Sequence, residues 1–114
     1  MGNKIKISMT DRAPVEIDTD EWPMLAEAKD HDNQYLSQAN RIWEICVRRK
    51  DERVIVYGWK REGGGGMPVG EKSIYAGELT DESATVSAIR RVAEEIRNPE
   101  LAMYVIRELP AETI

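Results

Sequence analysis

The fold is decided by residues 41–61, which read RIWEICVRRKDERVIVYGWKR. Two runs rich in β-branched and aromatic residues, 41–49 and 53–61, are separated by Lys50, Asp51 and Glu52. Runs of this composition on either side of a short polar break are typical of two antiparallel strands joined by a tight turn. The sequence therefore predicts a central β-hairpin.

The register of this hairpin is predicted from the positions of its apolar residues. A two-residue turn at Asp51 and Glu52 would place Trp43 opposite Lys60 and scatter the apolar set, whereas a three-residue loop would make one face wholly apolar. Asp-Glu is also unlike the Asn-Gly type of sequence that two-residue turns favour. We therefore predict the three-residue loop, with Trp43 opposite Trp59, Ile45 opposite Tyr57 and Val47 opposite Ile55.

The residues before the hairpin predict two short strands and a helix. Apolar and polar residues alternate over 4–9 and over 15–18, which indicates a first, short hairpin. Asp18, Thr19 and Asp20 are good helix N-caps, and Pro23 is tolerated in a first helical turn. We expect a short helix that extends to about Lys29. Its buried stripe would be Trp22, Leu25, Ala26 and Ala28. Residues 30–40 are polar and are expected to form a loop.

The residues after the hairpin predict one more strand and two helices. Residues 73–79 are mildly β-like, and Gly77 indicates an irregular or edge strand. A helix is expected from Thr80 or Asp81 to about Arg97, and a second helix opens at Pro99. The expected core-facing residues are Ala88, Ile89, Val92, Ala93 and Ile96 in the first helix and Leu101, Tyr104, Val105 and Leu109 in the second. The prediction is one α+β domain over residues 1–114, with an antiparallel sheet of about four or five strands.

Composition bounds the class of protein. The 114 residues carry 16 Lys and Arg against 21 Asp and Glu, a formal net charge of −5. Such a chain forms one small acidic domain and is too short for a large multidomain enzyme. It has no run of the roughly 18 apolar residues that a membrane span needs, and residues 1–9 lack the apolar stretch of a signal peptide, so we expect a cytoplasmic protein with no membrane partner. Cys46, the only cysteine, is expected to be a small buried hydrophobe.

Two motifs approach the pattern of a ligand site without meeting its requirements. The stretch GGGGMPVGEKS at 63–73 approximates a phosphate-binding loop, but Glu71 stands where the lysine is required, so a flexible surface loop at the four glycines 63–66 is predicted instead. His31 between Asp30 and Asp32, one turn after Glu27, has the side chains of a metal site, but adjacent side chains point in different directions. We expect no metal, no cofactor, no catalytic residues and no enzymatic activity.

The charges are segregated along the chain, and this defines two candidate surfaces. The net charge is −4 over residues 1–40, +3 over 41–62 and −4 over 63–114. The anionic first third could dock on a basic protein partner, with Asp18, Asp20, Glu21, Glu27, Asp30, His31, Asp32, Asn33 and Gln34 as contact residues. The alternative is a nucleic-acid-binding hairpin that uses Arg48, Arg49, Lys50, Arg53, Lys60 and Arg61 beside aromatic residues.

Several short stretches carry a resemblance to known proteins. They are Val15-Glu16-Ile17-Asp18, Glu21-Trp22-Pro23, Ala28-Lys29-Asp30-His31-Asp32-Asn33-Gln34-Tyr35, Gln38-Ala39-Asn40-Arg41, Val56-Tyr57-Gly58 and Ala88-Ile89-Arg90-Arg91-Val92-Ala93. In these the chain resembles small accessory proteins carried by bacterial phages and plasmids. The resemblance implies a mobile-element protein that binds a host protein in the bacterial cytoplasm, as inhibitors of CRISPR and other defence systems do.

Overall fold

The computed structural model describes residues 3–33, 40–63 and 74–111 and has the predicted α+β class. Its strands are β1 (Lys4–Ile7), β2 (Val15–Asp18), β3 (Met24–Asn33), β4 (Asn40–Lys50), β5 (Arg53–Gly63) and β6 (Ile74–Asp81). A 3₁₀ turn (Glu82–Ala84) leads into helix α1 (Thr85–Glu95), which is followed by helix α2 (Leu101–Glu108). Gly63 ends β5, and the rest of the four-glycine segment lies outside the described residues. Within the described ranges, no helix is long and apolar enough to span a membrane.

The strands form two antiparallel sheets. In the described part of the chain, β3, β4, β5 and β6 form a four-stranded sheet in chain order, and β1 pairs with β2 alone. The helices cover one face of the larger sheet, with α2 on β3 and α1 on β5 and β6. The β1–β2 hairpin packs on the opposite face. The large sheet is therefore buried between two layers.

Each covered face has its own core. The helix-side core contains Trp43, Ile45, Val47, Val54 and Val56 from the sheet, together with apolar residues of both helices. The hairpin-side core contains Ile7, Ile17, Trp22, Cys46, Ile55, Tyr57 and Trp59. Because strand side chains alternate between faces, a strand that is buried on both sides carries apolar residues at nearly every position. The middle of β5 follows this rule, and residues 54–59 are all buried.

The predicted helix before the central hairpin is wrong, because Met24–Asn33 forms β3, which extends into the predicted loop. The capping residues instead form a turn in which the Asp20 N–H donates to Asp18 Oδ1 at 2.9 Å. Pairing with β4 buries Ala26 beneath the helices, and Ala28 packs against the same core. This tertiary pairing overrides a weak local helix propensity.

The predicted register of the central hairpin is also wrong. Asp51 and Glu52 form a two-residue turn, and Asp51 adopts a positive φ of 56°, which Asp tolerates better than most residues. Trp43 and Trp59 consequently lie on opposite faces of the sheet. The observed pairs include Trp43 with Lys60, Ile45 with Gly58, Val47 with Val56, Cys46 with Tyr57 and Arg48 with Ile55. The prediction is wrong because it takes only one face of the sheet to be buried.

The C-terminal half follows the sequence more closely. β6 is an edge strand, as Gly77 indicated. Asp81 caps the 3₁₀ turn, with its Oδ1 accepting the Ala84 N–H at 3.2 Å. The predicted stripe of the first helix is buried in full. In α2, Leu101 and Val105 are buried as predicted, but Tyr104 is 56% exposed. Ala102 takes the buried position beside Leu101, so Tyr104 falls on the outer side of the helix.

Candidate protein-binding surface

Parts of the two candidate surfaces meet at one end of the molecule. The turn that follows β2 lies near the turn between β4 and β5, and the two turns line a pocket of about 320 Å³. Among the described residues, four carboxylates and two cations line this pocket, namely Glu16, Asp18, Glu21 and Asp51 with Lys50 and Arg53. Asp20 and Glu52 are exposed in the same two turns. We call these eight residues the acidic end.

Cations of the central hairpin pair with neighbouring acidic groups. Lys50 Nζ lies 3.1 Å from Glu21 Oε2. Arg49 Nη1 lies 3.4 Å from Glu82 Oε1, and Arg49 Nε donates to the Asp51 carbonyl oxygen at 2.8 Å. Two of the side chains predicted to bind phosphate are therefore held by carboxylates of the same chain.

Arg48 has a structural role on the hairpin side of the sheet. Its Nε donates to the Tyr57 hydroxyl at 2.9 Å, and its Nη1 donates to the Trp22 carbonyl oxygen at 3.0 Å. The Arg53 guanidinium lies 5.9 Å from the centre of the Trp22 ring. These contacts fasten the segment after β2 to the sheet.

Lys60 and Arg61 lie at the opposite end of β5 from the turn. Lys60 is on the helix side, where its Nζ lies 5.9 Å from the centre of the Trp43 ring. Arg61 is half-buried, and its Nε has no hydrogen-bond partner within the described part of the chain. Since successive residues of a strand point to opposite faces, the six basic candidates do not form one continuous surface.

The acidic candidates on β3 diverge in the same way. Glu27 and His31 are exposed on the hairpin side, and Asp30 is on the helix side. Asp30 is a structural residue, because the His31 N–H donates to its Oδ1 at 2.8 Å and the Asn98 side-chain amide donates from Nδ2 to its Oδ2 at 2.9 Å. Gln34 and the side chains of Asp32 and Asn33 lie outside the described residues.

Sequence reasoning missed a cluster of donor atoms in the cleft between the β1–β2 hairpin and the sheet. This cleft has a volume of about 450 Å³. Donor atoms of Glu27, Glu44 and Cys46 lie within 4.8 Å of one another. Glu44 and Cys46 are two residues apart on β4 and so share a face, a signal that the sequence contains. Glu27 lies beside Glu44 and Cys46 only because residues 24–33 form a strand. The predicted helix at this position gave no reason to place Glu27 in the cluster.

The cluster consists of a protonated thiol, Cys46, beside two carboxylates, Glu27 and Glu44. Burial, and secondarily the charge of Glu44, raises the pKa of Cys46 to about 12. Burial likewise raises the pKa of the neighbouring Tyr57 to about 12. A thiol with such a pKa is a poor nucleophile at neutral pH. Lys29 Nζ lies 3.3 Å from Glu44 Oε2 and supplies a cation to the cluster.

Comparison of the chain with protein-family models, with curated proteins and with solved structures finds no match. The function is therefore inferred from the geometry and charge described above.

Proposed function

We propose that this protein is a non-enzymatic binding protein whose acidic end docks on a basic surface of a larger bacterial protein or complex. The proposal extends to an origin in a phage or plasmid and to the inhibition of a host system such as CRISPR, which the resemblance of the sequence implies. The partner would be recognised by its positive surface charge.

The balance of charge around the pocket at the acidic end carries this proposal. Four carboxylates line the pocket against two cations, and one of these cations, Lys50, is already paired with Glu21. The surplus carboxylates make the end anionic although it includes the tip of the basic hairpin. An anionic surface of this kind increases the association rate with a basic partner and selects against acidic ones.

The ion pairs and hydrogen bonds of the basic residues weigh against the alternative function, a nucleic-acid-binding hairpin. Phosphate binding requires cations that are free to replace the counterions of the polyanion. Here Arg49 and Lys50 are held by Glu82 and Glu21, and Arg48 is occupied by Tyr57 and Trp22. A phosphate would compete with these partners and approach neighbouring carboxylates.

The test compares two double variants. Asp20→Lys with Glu52→Lys reverses two exposed charges at the acidic end, and Glu94→Lys with Glu95→Lys makes the same charge change on α1. Partners are captured from a bacterial lysate with the wild-type protein and identified, and association rates with the purified partner are then measured at low and high salt. We expect the first variant to slow association at low salt and to weaken the salt dependence, while the α1 variant binds like the wild type.

Equal effects of the two double variants would contradict a docking role for the acidic end. Gel shifts with single- and double-stranded DNA and RNA, run across salt concentrations, test the alternative directly. A salt-dependent complex with any of these nucleic acids would favour the basic hairpin.

A further inference from the structure

β3 is an edge strand of the four-stranded sheet. The Arg49 N–H donates to the Pro23 carbonyl oxygen at 3.2 Å, so odd-numbered residues of β4 direct their amides toward β3. Their partners on β3 are the even-numbered residues Ala26, Ala28 and Asp30. In an antiparallel strand, successive residues direct their backbone N–H and C=O groups to opposite sides. The N–H and C=O groups of Glu27, Lys29 and His31 therefore point to the open edge of β3.

Only part of this edge is available for pairing. The His31 N–H points outward and is already bound by Asp30 Oδ1 at 2.8 Å. A side chain that satisfies an outward amide blocks strand addition at that position. The outward N–H and C=O groups of Glu27 and Lys29 have no backbone partner among the described residues. An added strand would form hydrogen-bonded pairs with these two residues.

The charges of these two residues select a second copy of the chain as the occupant. In an antiparallel pair of β3 strands centred on Ala28, Glu27 of each copy lies opposite Lys29 of the other. Centring the pair on Glu27 or on Lys29 instead places like charges opposite each other, which is destabilising. Centring it on Asp30 requires the blocked His31 amide. Centring on Ala28 is therefore charge-complementary, and its two central hydrogen-bonded pairs, Glu27 with Lys29 in both directions, do not use the blocked His31 amide, which would lie opposite Leu25 of the other copy.

The surroundings of the two residues fit this arrangement. Glu27 makes no ion pair with the described residues of its own chain, and Lys29 is 64% exposed although it contacts Glu44. In the symmetric pair, Lys29 would lie between Glu44 of its own copy and Glu27 of the other. Above the edge, the exposed Tyr104 lines a pocket of about 290 Å³ together with Lys29 and Asp30, which places an aromatic side chain at the seam.

We propose that two copies of this chain associate through β3, antiparallel and centred on Ala28, to form one continuous eight-stranded sheet. The two copies of α2 would lie in one helical layer, and each Tyr104 would be covered by the other copy. This association uses a different surface from the acidic end and does not depend on the proposed function.

The test is a charge exchange followed by sedimentation velocity over a concentration series. We expect the wild-type protein to dimerise in a concentration-dependent way. Glu27→Lys and Lys29→Glu should each raise the dimer dissociation constant about tenfold or more, because each turns two attractive cross-strand pairs into repulsive ones. The double variant, in which the two charges are exchanged, should restore the dimer.

Two controls assign the effect to this edge. Glu94→Lys and Arg90→Glu make the same charge changes on the exposed surface of α1 and should leave dimerisation unchanged. Hydrogen exchange at the Glu27 and Lys29 amides should slow as the protein concentration rises. The proposal is overturned by a protein that stays monomeric at millimolar concentration, by single variants that dimerise normally, or by a double variant that does not regain the dimer.

Discussion

Gly58 of β5 and Val92 of α1 are in direct contact, and the space between them is too small for a side chain at position 58. A Cβ at Gly58 would lie 2.9 Å from Val92 Cγ1 and 3.0 Å from the Glu44 carbonyl oxygen. The helix can therefore sit close to the sheet only because residue 58 is glycine. The gap that Gly58 leaves opposite Ile45 is filled by the helix.

Gly58→Ala should lower the free energy of unfolding by about 1–3 kcal/mol, since the new methyl group must displace either a packed valine or the backbone of β4. Urea denaturation monitored by tryptophan fluorescence measures the change. Combining the variant with Val92→Ala should cost less than the sum of the two single changes, because the smaller side chain makes room for the methyl group. Strict additivity would show that the two residues are not in contact.

Trp43→Phe should destabilise the protein by about 1–3 kcal/mol beyond the small loss of apolar area. The Trp43 Nε1–H donates to the Ile96 carbonyl oxygen at 3.0 Å in a buried position, and this bond ties β4 to the end of α1. Phenylalanine keeps an aromatic ring but leaves that carbonyl without its partner. Thermal and chemical denaturation give the value, and unaltered stability would mean that the carbonyl finds another donor.

Stability should fall as the pH rises above about 9. The pKa of Cys46 is raised from 9.0 to about 12 in the folded protein, and that of Tyr57 from 10.0 to about 12. Both groups therefore stay protonated in the fold at pH values where the unfolded chain has released the protons. The unfolded state binds fewer protons in this window, so increasing pH favours unfolding.

Denaturant titrations from neutral pH into this alkaline window measure the loss of stability. Cys46→Ala removes one of the two groups and should make the dependence on pH shallower. A Cys46→Ala variant with the same alkaline slope as the wild type would show that the thiol does not contribute.

Replacing Arg49, Lys50 and Arg53 by Gln should lower the free energy of unfolding by no more than about 2 kcal/mol, because exposed ion pairs contribute little each and the contact of Arg53 with the Trp22 ring adds about 0.5–1 kcal/mol. The pairs of Lys50 with Glu21 and of Arg49 with Glu82 are both partly exposed to solvent. On the proposed function, this variant should bind the protein partner at least as fast as the wild type, since the acidic end becomes more anionic. Slower binding, measured by stopped-flow mixing, would contradict that proposal.

The parts of the fold that could be predicted are those where the apolar residues of the sequence repeat with one clear spacing or where the composition is strongly β-branched. The stripe of α1 repeats every three or four residues, and Pro99 separates the two helices, so both helices were predictable. The two long strands were equally clear from their β-branched residues. In each case the local preference agrees with the tertiary structure.

The errors lie where burial is decided by distant parts of the chain. Nothing near residues 41–61 indicates that a separate hairpin, β1 with β2, covers the second face of the sheet, and without that cover the observed register looks unfavourable. For the same reason, the local sequence of Met24–Asn33 favours a helix over its first half, although pairing with β4 makes it a strand.

The candidate site could be predicted in composition but not in arrangement. The segregation of charge along the sequence showed which segments are acidic and which are basic. It could not show that Glu21 and Lys50, 29 residues apart, are paired. Nor could it show that Asp30 is used to hold a neighbouring amide and Asn98, since both contacts depend on the three-dimensional path of β3.

The division of the interior into two cores has a consequence for local unfolding. Among the described strands, β1 and β2 pair only with each other, and contacts such as the Thr10 N–H with the Gly77 carbonyl oxygen, at 3.1 Å, join this hairpin to the edge of β6. Lifting the hairpin would expose the Cys46 side of the sheet while the helix-side core stays intact. We therefore expect the N-terminal hairpin to open as a separate cooperative unit, at a lower free energy than unfolding of the whole domain. Its opening, and not global unfolding, should set the rate at which a thiol reagent modifies Cys46.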